Sequence, residues 1–157
     1  MGVGYMLTVT KEFKWDMAHI LAGHEGMCKN LHGHTYRMQV EVARKSNDLI
    51  KEDKATSSMV IDFKDLKKIV KEEIVEALDH AFMYWTNSPD KLEHKIADLL
   101  KEEGRKVVEV DFRPTAEAMS FYFLNILKQR FKELNIKIIS VKVWETPTSY
   151  AEAKGEI

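Results

Sequence analysis

Three histidines and one cysteine near the start of the chain are the side chains best suited to chemistry. His32 and His34 flank a glycine. Cys28 precedes this pair by four residues, and His19 lies further upstream. Residues two apart in a strand point to the same side, so a strand here would offer two imidazoles to one metal ion. Three histidines with an open fourth position are typical of a catalytic zinc site. His19, His32 and His34 are therefore the predicted metal ligands.

Two alternatives to this ligand set stay open. His24 lies in the loop between His19 and the pair, and it could replace one of the three ligands. The imidazoles could also be surface side chains near a turn, with no metal between them. His94 falls in a predicted exposed helix and is expected to be unrelated to the cluster.

Cys28 allows three interpretations. It could be a fourth zinc ligand, which would close the site and exclude chemistry, or a buried apolar cysteine. It could also be a nucleophile or base beside the metal. A thiolate next to an open metal position can take a proton from a bound substrate. The spacing favours this third interpretation.

Asp79 and His80 follow the end of a predicted amphipathic helix. His80 could simply cap the carboxyl end of that helix, where the helix dipole favours a positive charge. Alternatively, Asp79 orients His80 so that the imidazole can relay a proton. Nothing in the neighbouring sequence indicates where such a relay would act.

Two glutamates are candidates for binding a ligand. If Thr115 is the N-cap of a helix, Glu117 is its second residue and misses the third position that a capping box needs. Glu145 ends a predicted strand on its apolar face, and a buried carboxylate needs a partner. A guanidine-like ligand edge with two N–H donors would suit either acid. The alternatives are a favourable helix-dipole contact for Glu117 and a strand end that reaches solvent for Glu145.

Alternating apolar residues predict the strands that position these side chains. Residues 7–19 alternate and leave His19 on the core face, and residues 34–42 give the most regular alternation in the chain. Residues 139–145 alternate toward Glu145, a short strand is predicted over residues 149–153, and residues 107–112 form a brief extended segment.

Apolar residues at three- and four-residue spacing predict the helices. One helix follows Asp62 as its cap and runs to Leu78. A short helix begins at Ser88-Pro89 and stops near Gly104, and a further helix follows Thr115. Residues 46–58 are polar and predict a loop or the tip of a hairpin.

Composition favours one domain over residues 1–157, since 157 residues suffice for a single core. The 24 basic and 25 acidic residues nearly cancel, which argues against nucleic acid or an anionic membrane as a partner. No apolar window is long enough for a membrane span. A single cysteine cannot form an internal disulfide, so we expect a cytoplasmic protein.

Six ordered motifs make the chain resemble the family of 6-pyruvoyl-tetrahydropterin and 6-carboxy-tetrahydropterin synthases. The resemblance runs nearly from end to end. The motifs are Trp15-Asp16-Met17-Ala18-His19, Cys28 followed by His32-Gly33-His34, Val60-Ile61-Asp62-Phe63, Leu78-Asp79-His80, Pro114-Thr115-Ala116-Glu117 and Trp144-Glu145-Thr146.

The resemblance implies an α+β tunnelling fold. This is a four-stranded antiparallel sheet with two main helices inserted between strand pairs, here with an extra short helix. It also implies a homo-oligomer, commonly a hexamer, with active sites at the subunit interfaces.

The same resemblance implies the roles of the site residues. His19, His32 and His34 would hold Zn²⁺, and Cys28 would act as the base. Asp79 and His80 would come from a neighbouring subunit. Glu117 and Glu145, together with Thr115, would bind the pterin.

The implied substrate is 7,8-dihydroneopterin triphosphate, which loses triphosphate. The implied product is 6-pyruvoyl-tetrahydropterin or the 6-carboxy product of 7-deazaguanine and queuosine biosynthesis, and we favour the 6-carboxy branch. The chain departs from the family at Met17, which replaces a small residue, and in the long segments 46–58 and 86–110. Substrate preference therefore stays open.

Two other functions stay open at this point. A zinc hydrolase would activate water on the metal and use one glutamate as base, but it leaves Cys28 and Asp79-His80 without a role. A non-catalytic module would use structural zinc and bind a pterin or guanine through its carboxylates.

Overall fold

The computed structural model describes residues 4, 6–52 and 54–155. Four strands form the antiparallel part of the sheet, and the sequence predicted all four: β1 (Val9–His19), β2 (His32–Arg44), β5 (Ile136–Thr146) and β6 (Ser149–Lys154). They lie side by side in the order β1-β2-β5-β6. The register of the first hairpin runs from Val9 opposite Val42 to His19 opposite His32. Residues 46–52 and 54–58 lie in the predicted loop between β2 and the first helix.

The prediction of four strands was wrong, because the sheet has six. The added strands are β3 (Ala81–Trp85) and β4 (Val107–Val110), and the sheet order is β4-β3-β1-β2-β5-β6. β3 runs parallel to β1 but pairs only with its last residues, at Met17 and Ala18. β3 was not predicted because its five residues are nearly all buried. A short apolar run without alternation does not distinguish a strand from a helix.

One face of the sheet is covered by two long helical segments. The first comprises α1 (Phe63–Val70), a π-helical turn (Lys71–Val75) and α2 (Glu76–Leu78), and the second is α4 (Ala116–Arg130). Both predicted caps are confirmed, because Asp62 accepts a hydrogen bond from the Lys64 N–H and Thr115 accepts one from the Ala118 N–H. The core between helices and sheet includes Trp15, Tyr36, Met38, Leu66, Ile74, Met119, Phe123 and Leu127.

The extra helix, α3 (Lys91–Glu102), packs with β3 and β4 around a second small core. Its predicted start at Ser88-Pro89 was wrong by two residues. The observed cap is Asp90, whose carboxylate accepts a hydrogen bond from the Leu92 N–H. Ser88 lies two residues earlier, and its Oγ accepts a hydrogen bond from the Asp90 N–H. Its end is as predicted, with Gly104 in the left-handed region at φ 69°. Among the helices that the structure describes, none has the length and apolar character that a membrane span needs.

Glu93 on α3 is fully buried and accepts a hydrogen bond from the Trp85 N–H at 2.9 Å. Burial raises the pKa of this carboxyl above its ordinary value, although the bond from Trp85 opposes the shift. The folded protein therefore binds the proton more tightly than the unfolded chain does. Its free energy of unfolding falls as the pH rises through the raised pKa.

We expect Glu93→Gln to stabilise the protein relative to wild type more at about pH 8 than at about pH 5, because the amide removes the buried charge and keeps an oxygen for Trp85. Urea unfolding at both pH values measures this. Glu102→Gln, at an exposed position of the same helix, is the control and should show the same small difference at both. A pH-independent effect of Glu93→Gln would contradict the assignment.

Candidate metal centre and active site

Three imidazoles and one carboxylate converge at one end of the sheet. His19, the last residue of β1, lies opposite His32, the first residue of β2, and their Nε2 atoms are 3.1 Å apart. His34 points to the same side, and its Nε2 lies 2.8 Å from Oε1 of Glu145, which β5 supplies. The same carboxylate oxygen is 3.6 Å from His19 Nε2. The four ligand atoms all lie within 4.8 Å of one another, and together they form a possible metal site.

Backbone carbonyl groups fix the orientation of two of these rings. His19 Nδ1 lies 2.9 Å from the carbonyl oxygen of Pro114, and His32 Nδ1 lies 2.7 Å from that of Asn30. A carbonyl oxygen only accepts, so each Nδ1 carries the proton and donates it. The unprotonated Nε2 of each ring then faces the cluster, as it does in histidines that bind metals.

Burial favours the neutral form of two of the imidazoles, His19 and His34. It lowers the pKa of His19 from 6.5 to about 4, against the opposing effect of the Pro114 carbonyl, and the neighbouring His32 and His34 lower it further. Burial also lowers the pKa of His34, although the Glu145 carboxylate opposes this. A neutral imidazole has the lone pair that a metal ion requires.

The donor set fits a metal ion. His34 Nε2 is buried, and within the described residues it has no hydrogen bond of good geometry despite its short distance to Glu145. Such an orphaned nitrogen is costly unless something else binds it. Two nitrogens of a tetrahedral zinc site lie roughly 3.3 Å apart, close to the separation of the His19 and His32 nitrogens.

Beneath the cluster lies Tyr36, which is fully buried. Its hydroxyl is 3.3 Å from His19 Nδ1, and its ring stacks on Trp15. Burial raises the pKa of Tyr36, and the negative charge of Glu145 raises it further. The tyrosine is therefore neutral, and its ring packs against His19 and His34.

Cys28 lies on a single 3₁₀ turn, Met27–Lys29, and is half-buried. Its carbonyl oxygen accepts from the Leu21 N–H at 2.9 Å, which ties the loop back to the residues just after His19. The converging ligand atoms include no sulphur, and the fourth member of the cluster is Glu145. The structure thus gives no support to a closed zinc site with Cys28 as fourth ligand.

The two other histidines that the sequence raised lie outside the cluster. His24 is exposed, and its Nδ1 accepts from the Gly26 N–H within its own loop. His94 is on α3, where it contacts Tyr84 and the Ser88 carbonyl. Neither replaces one of the three converging imidazoles.

Asp79 and His80 form a pair on the opposite face of the sheet. His80 Nδ1 lies 2.9 Å from Asp79 Oδ1, and the same oxygen accepts from the Asp16 N–H. This backbone hydrogen bond is the main reason why the pKa of Asp79 is lowered. Asp16 and His19 are three residues apart in β1, so their side chains point to opposite faces. The chain therefore does not bring its own pair to its own histidine cluster.

Comparison with known proteins identifies the family. The sequence profile of 6-pyruvoyl tetrahydropterin synthase matches residues 8–156. The chain belongs to this family. It is 47% identical over 147 residues to the 6-carboxy-5,6,7,8-tetrahydropterin synthase of Haemophilus influenzae, covering 94% of this chain and 98% of that protein.

Solved structures agree with the family. An uncharacterised protein of Wolinella succinogenes superposes with a TM-score of 0.77 at 25% identity, covering 98% of this chain and all of the other. The 6-pyruvoyl tetrahydropterin synthase of Plasmodium falciparum superposes with a TM-score of 0.66 at 21% identity, with 96% and 98% covered. The expected tunnelling fold is confirmed, apart from the number of strands. The chain is an enzyme of the tetrahydropterin synthase type, a family of lyases.

The start of α4 lies next to the histidine cluster, because the Pro114 carbonyl bonds His19 and Thr115 caps the helix. Glu117 is exposed in the first turn of α4. Glu145 borders a cavity of about 410 Å³ that Trp144, Lys14 and other side chains also line. This volume falls in the range of pockets that bind small molecules.

Sequence reasoning missed several residues that support the site. Asn30 and Pro114 act through main-chain carbonyl groups, so their side chains gave no signal. Asp16 was noted only as part of the motif from Trp15 to His19, and Tyr36 only as a member of an alternating strand. Glu145 was expected as a ligand anchor, and the register of β5 on β2 brings its carboxylate to the histidines as well.

We expect the metal-free protein to bind one Co²⁺ ion per chain, with an absorption spectrum of nitrogen and oxygen ligands. His34→Ala should weaken binding by at least about a hundredfold, because loss of a ligand costs more than loss of its outer partners. His24→Ala is the matched control and should bind like wild type. Equal affinities for all three proteins would contradict the ligand set.

Proposed function

We propose that this chain is a zinc-dependent 6-carboxy-tetrahydropterin synthase that acts on 7,8-dihydroneopterin triphosphate and releases triphosphate. The observation that supports this most is the 47% identity, over almost the full length of both chains, to a protein of that name. The convergence of three imidazoles at the end of the first hairpin is consistent with it.

His19, His32 and His34 are the proposed zinc ligands. All three imidazoles are buried or half-buried. Three histidine ligands would leave one coordination position for the substrate. Bound zinc supplies Lewis-acid polarisation of the substrate side chain, which acidifies the neighbouring C–H bonds.

Cys28 is the proposed base and the Asp79–His80 pair the proposed proton donor. The loop that carries Cys28 starts directly after His19 and is tied back by the Leu21 hydrogen bond. As a thiolate, Cys28 takes a proton from a substrate carbon. Asp79 holds Nδ1 of His80, so the other ring nitrogen can deliver a proton to the substrate.

The pterin is proposed to bind through its guanidine-like edge to Glu117 and Glu145. Both carboxylates accept paired N–H donors well, and Glu145 lines the cavity together with His34, which it contacts. Thr115 is the third predicted contact, although its hydroxyl already accepts the Ala118 N–H. Lys14 and Arg37 line the same cavity and provide positive charge for an anionic substrate.

A homo-oligomer, proposed to be a hexamer, completes the active site. Within a chain the pair and the histidines lie on opposite faces of one sheet, which supports the proposal that a neighbour supplies the pair. Two strands have unpaired sides that are available for such contacts. In the described residues β1 is paired on its outer side only at Met17 and Ala18, and β6 pairs only with β5. Open edges of this kind accept strands from another copy.

The deciding experiment incubates the zinc-loaded protein with 7,8-dihydroneopterin triphosphate and identifies the products by mass. The proposal predicts 6-carboxy-tetrahydropterin, acetaldehyde and triphosphate. A pyruvoyl product would overturn the proposed branch. Absence of both product and released triphosphate would overturn the synthase function and favour a binding module.

We expect Cys28→Ala to lower kcat by about 10²- to 10⁴-fold, the usual contribution of a positioned base, with unchanged zinc content. Product formation and metal analysis of the same preparation measure both quantities. Full turnover by Cys28→Ala would favour a zinc hydrolase, in which metal-bound water and a glutamate do the work.

Mixed oligomers test whether the site is shared. We expect Cys28→Ala and His80→Ala proteins to be nearly inactive alone. Unfolded together in equal amounts and refolded, they should recover about a quarter of wild-type activity, because random assembly pairs an intact Cys28 with an intact His80 at that frequency. Each variant refolded alone is the control. Without recovery in the mixture, the two residues would have to act from one chain.

A further inference from the structure

Segment 86–110 contributes a lysine to the turn that carries Asp79 and His80. Lys106 lies just before β4, and its ammonium donates to the carbonyl oxygens of Glu76 at 2.5 Å and Asp79 at 2.7 Å. Its own carbonyl oxygen accepts from the Phe82 N–H at 3.0 Å. Lys106 therefore contacts the chain at Glu76 and Asp79 through its ammonium and at Phe82 through its carbonyl oxygen.

The turn needs such support because of its backbone conformation. Helix α2 ends at Leu78, Asp79 is extended, and His80 lies in the left-handed region at φ 64°. A residue with a Cβ atom adopts this region only when surrounding contacts hold it there. The other contacts come from β1, where the Asp16 carbonyl accepts the His80 N–H at 2.7 Å and the Asp16 N–H donates to Asp79.

Lys106 also provides a charge at the point where the pair is built. Its ammonium lies at the carboxyl end of the helical segment, where unpaired carbonyl groups favour a cation. Among the described residues, Asp16 and Lys106 are charged groups that lie close to the pair. The hydrogen bond from the Asp16 N–H is the main cause of the lowered pKa of Asp79, and His80 and Lys106 lower this pKa further.

We propose that Lys106 is a positioning residue for the Asp79–His80 pair, and that the long segment 86–110 serves the reaction by supplying it. This inference rests on the proposed function, in which His80 delivers a proton. Lys106 acts through the main chain of Asp79, holding the turn so that the imidazole stays hydrogen-bonded to the carboxylate. It does not touch the substrate.

Kinetics of the zinc-loaded full chain test the proposal. Lys106→Met keeps most of the side-chain length without the charge, and it should lower kcat about tenfold or more with little change in KM or zinc content. Lys106→Arg should recover most of the loss, because a guanidinium can still donate to both carbonyl groups. The matched control is Lys101→Met in the same segment, whose ammonium pairs with Glu109 and which should keep wild-type kcat.

A second measurement separates positioning from a general loss of stability. In metal-free protein with ¹⁵N-labelled histidine, the His80 ring signals should shift in Lys106→Met, while Lys106→Arg and Lys101→Met resemble wild type. Unchanged kcat in Lys106→Met would overturn the proposal, and so would a lower kcat with unchanged His80 signals. If wild type does not convert the pterin, the proposed function fails, whereas the His80 signals still report whether Lys106 positions the pair.

Discussion

The register of the first hairpin is the constraint on which the site depends. His19 faces His32 across the β1–β2 ladder, and His34 follows two residues later on the same side. A slip of one residue in β2 would turn His32 and His34 to the other face of the sheet, away from His19. Eleven residue pairs join the two strands in this register. Core residues of both strands stabilise it, among them Trp15, Tyr36 and Met38. The packing that stabilises the fold therefore also aligns the three imidazoles.

The remaining parts of the site come from separate long-range contacts. β5 pairs with β2 and brings Glu145 to the histidines, while the start of α4 brings the Pro114 carbonyl to His19. Burial favours neutral His19 and His34, and ring nitrogens without a proton then face one another at a cost that a bound cation would relieve. The Asp79–His80 pair lies in a turn in which His80 adopts the left-handed region. Hydrogen bonds from β1 and from Lys106 hold this turn.

Much of this arrangement could be predicted from the sequence, because it follows from local patterns. Alternation gave the four antiparallel strands, and side-chain chemistry gave the caps at Asp62 and Thr115. Alternation also gave the common face of His19, His32 and His34. The parallel addition of β3 and β4 could not be predicted in this way, because only two residue pairs join β3 to β1 and no pattern in either strand encodes them. The meeting of Glu145 with His34 likewise depends on how one hairpin packs beside the other.

The carbonyl groups of Asn30 and Pro114 that hold the histidine rings have an evolutionary consequence. Every amino acid carries a carbonyl group, so a substitution at position 30 or 114 that preserves the backbone path leaves the ring orientation intact. Selection then acts on the path of the chain rather than on the identity of either residue. Sequences can diverge at these two positions while the same nitrogen of each imidazole continues to face the candidate metal site.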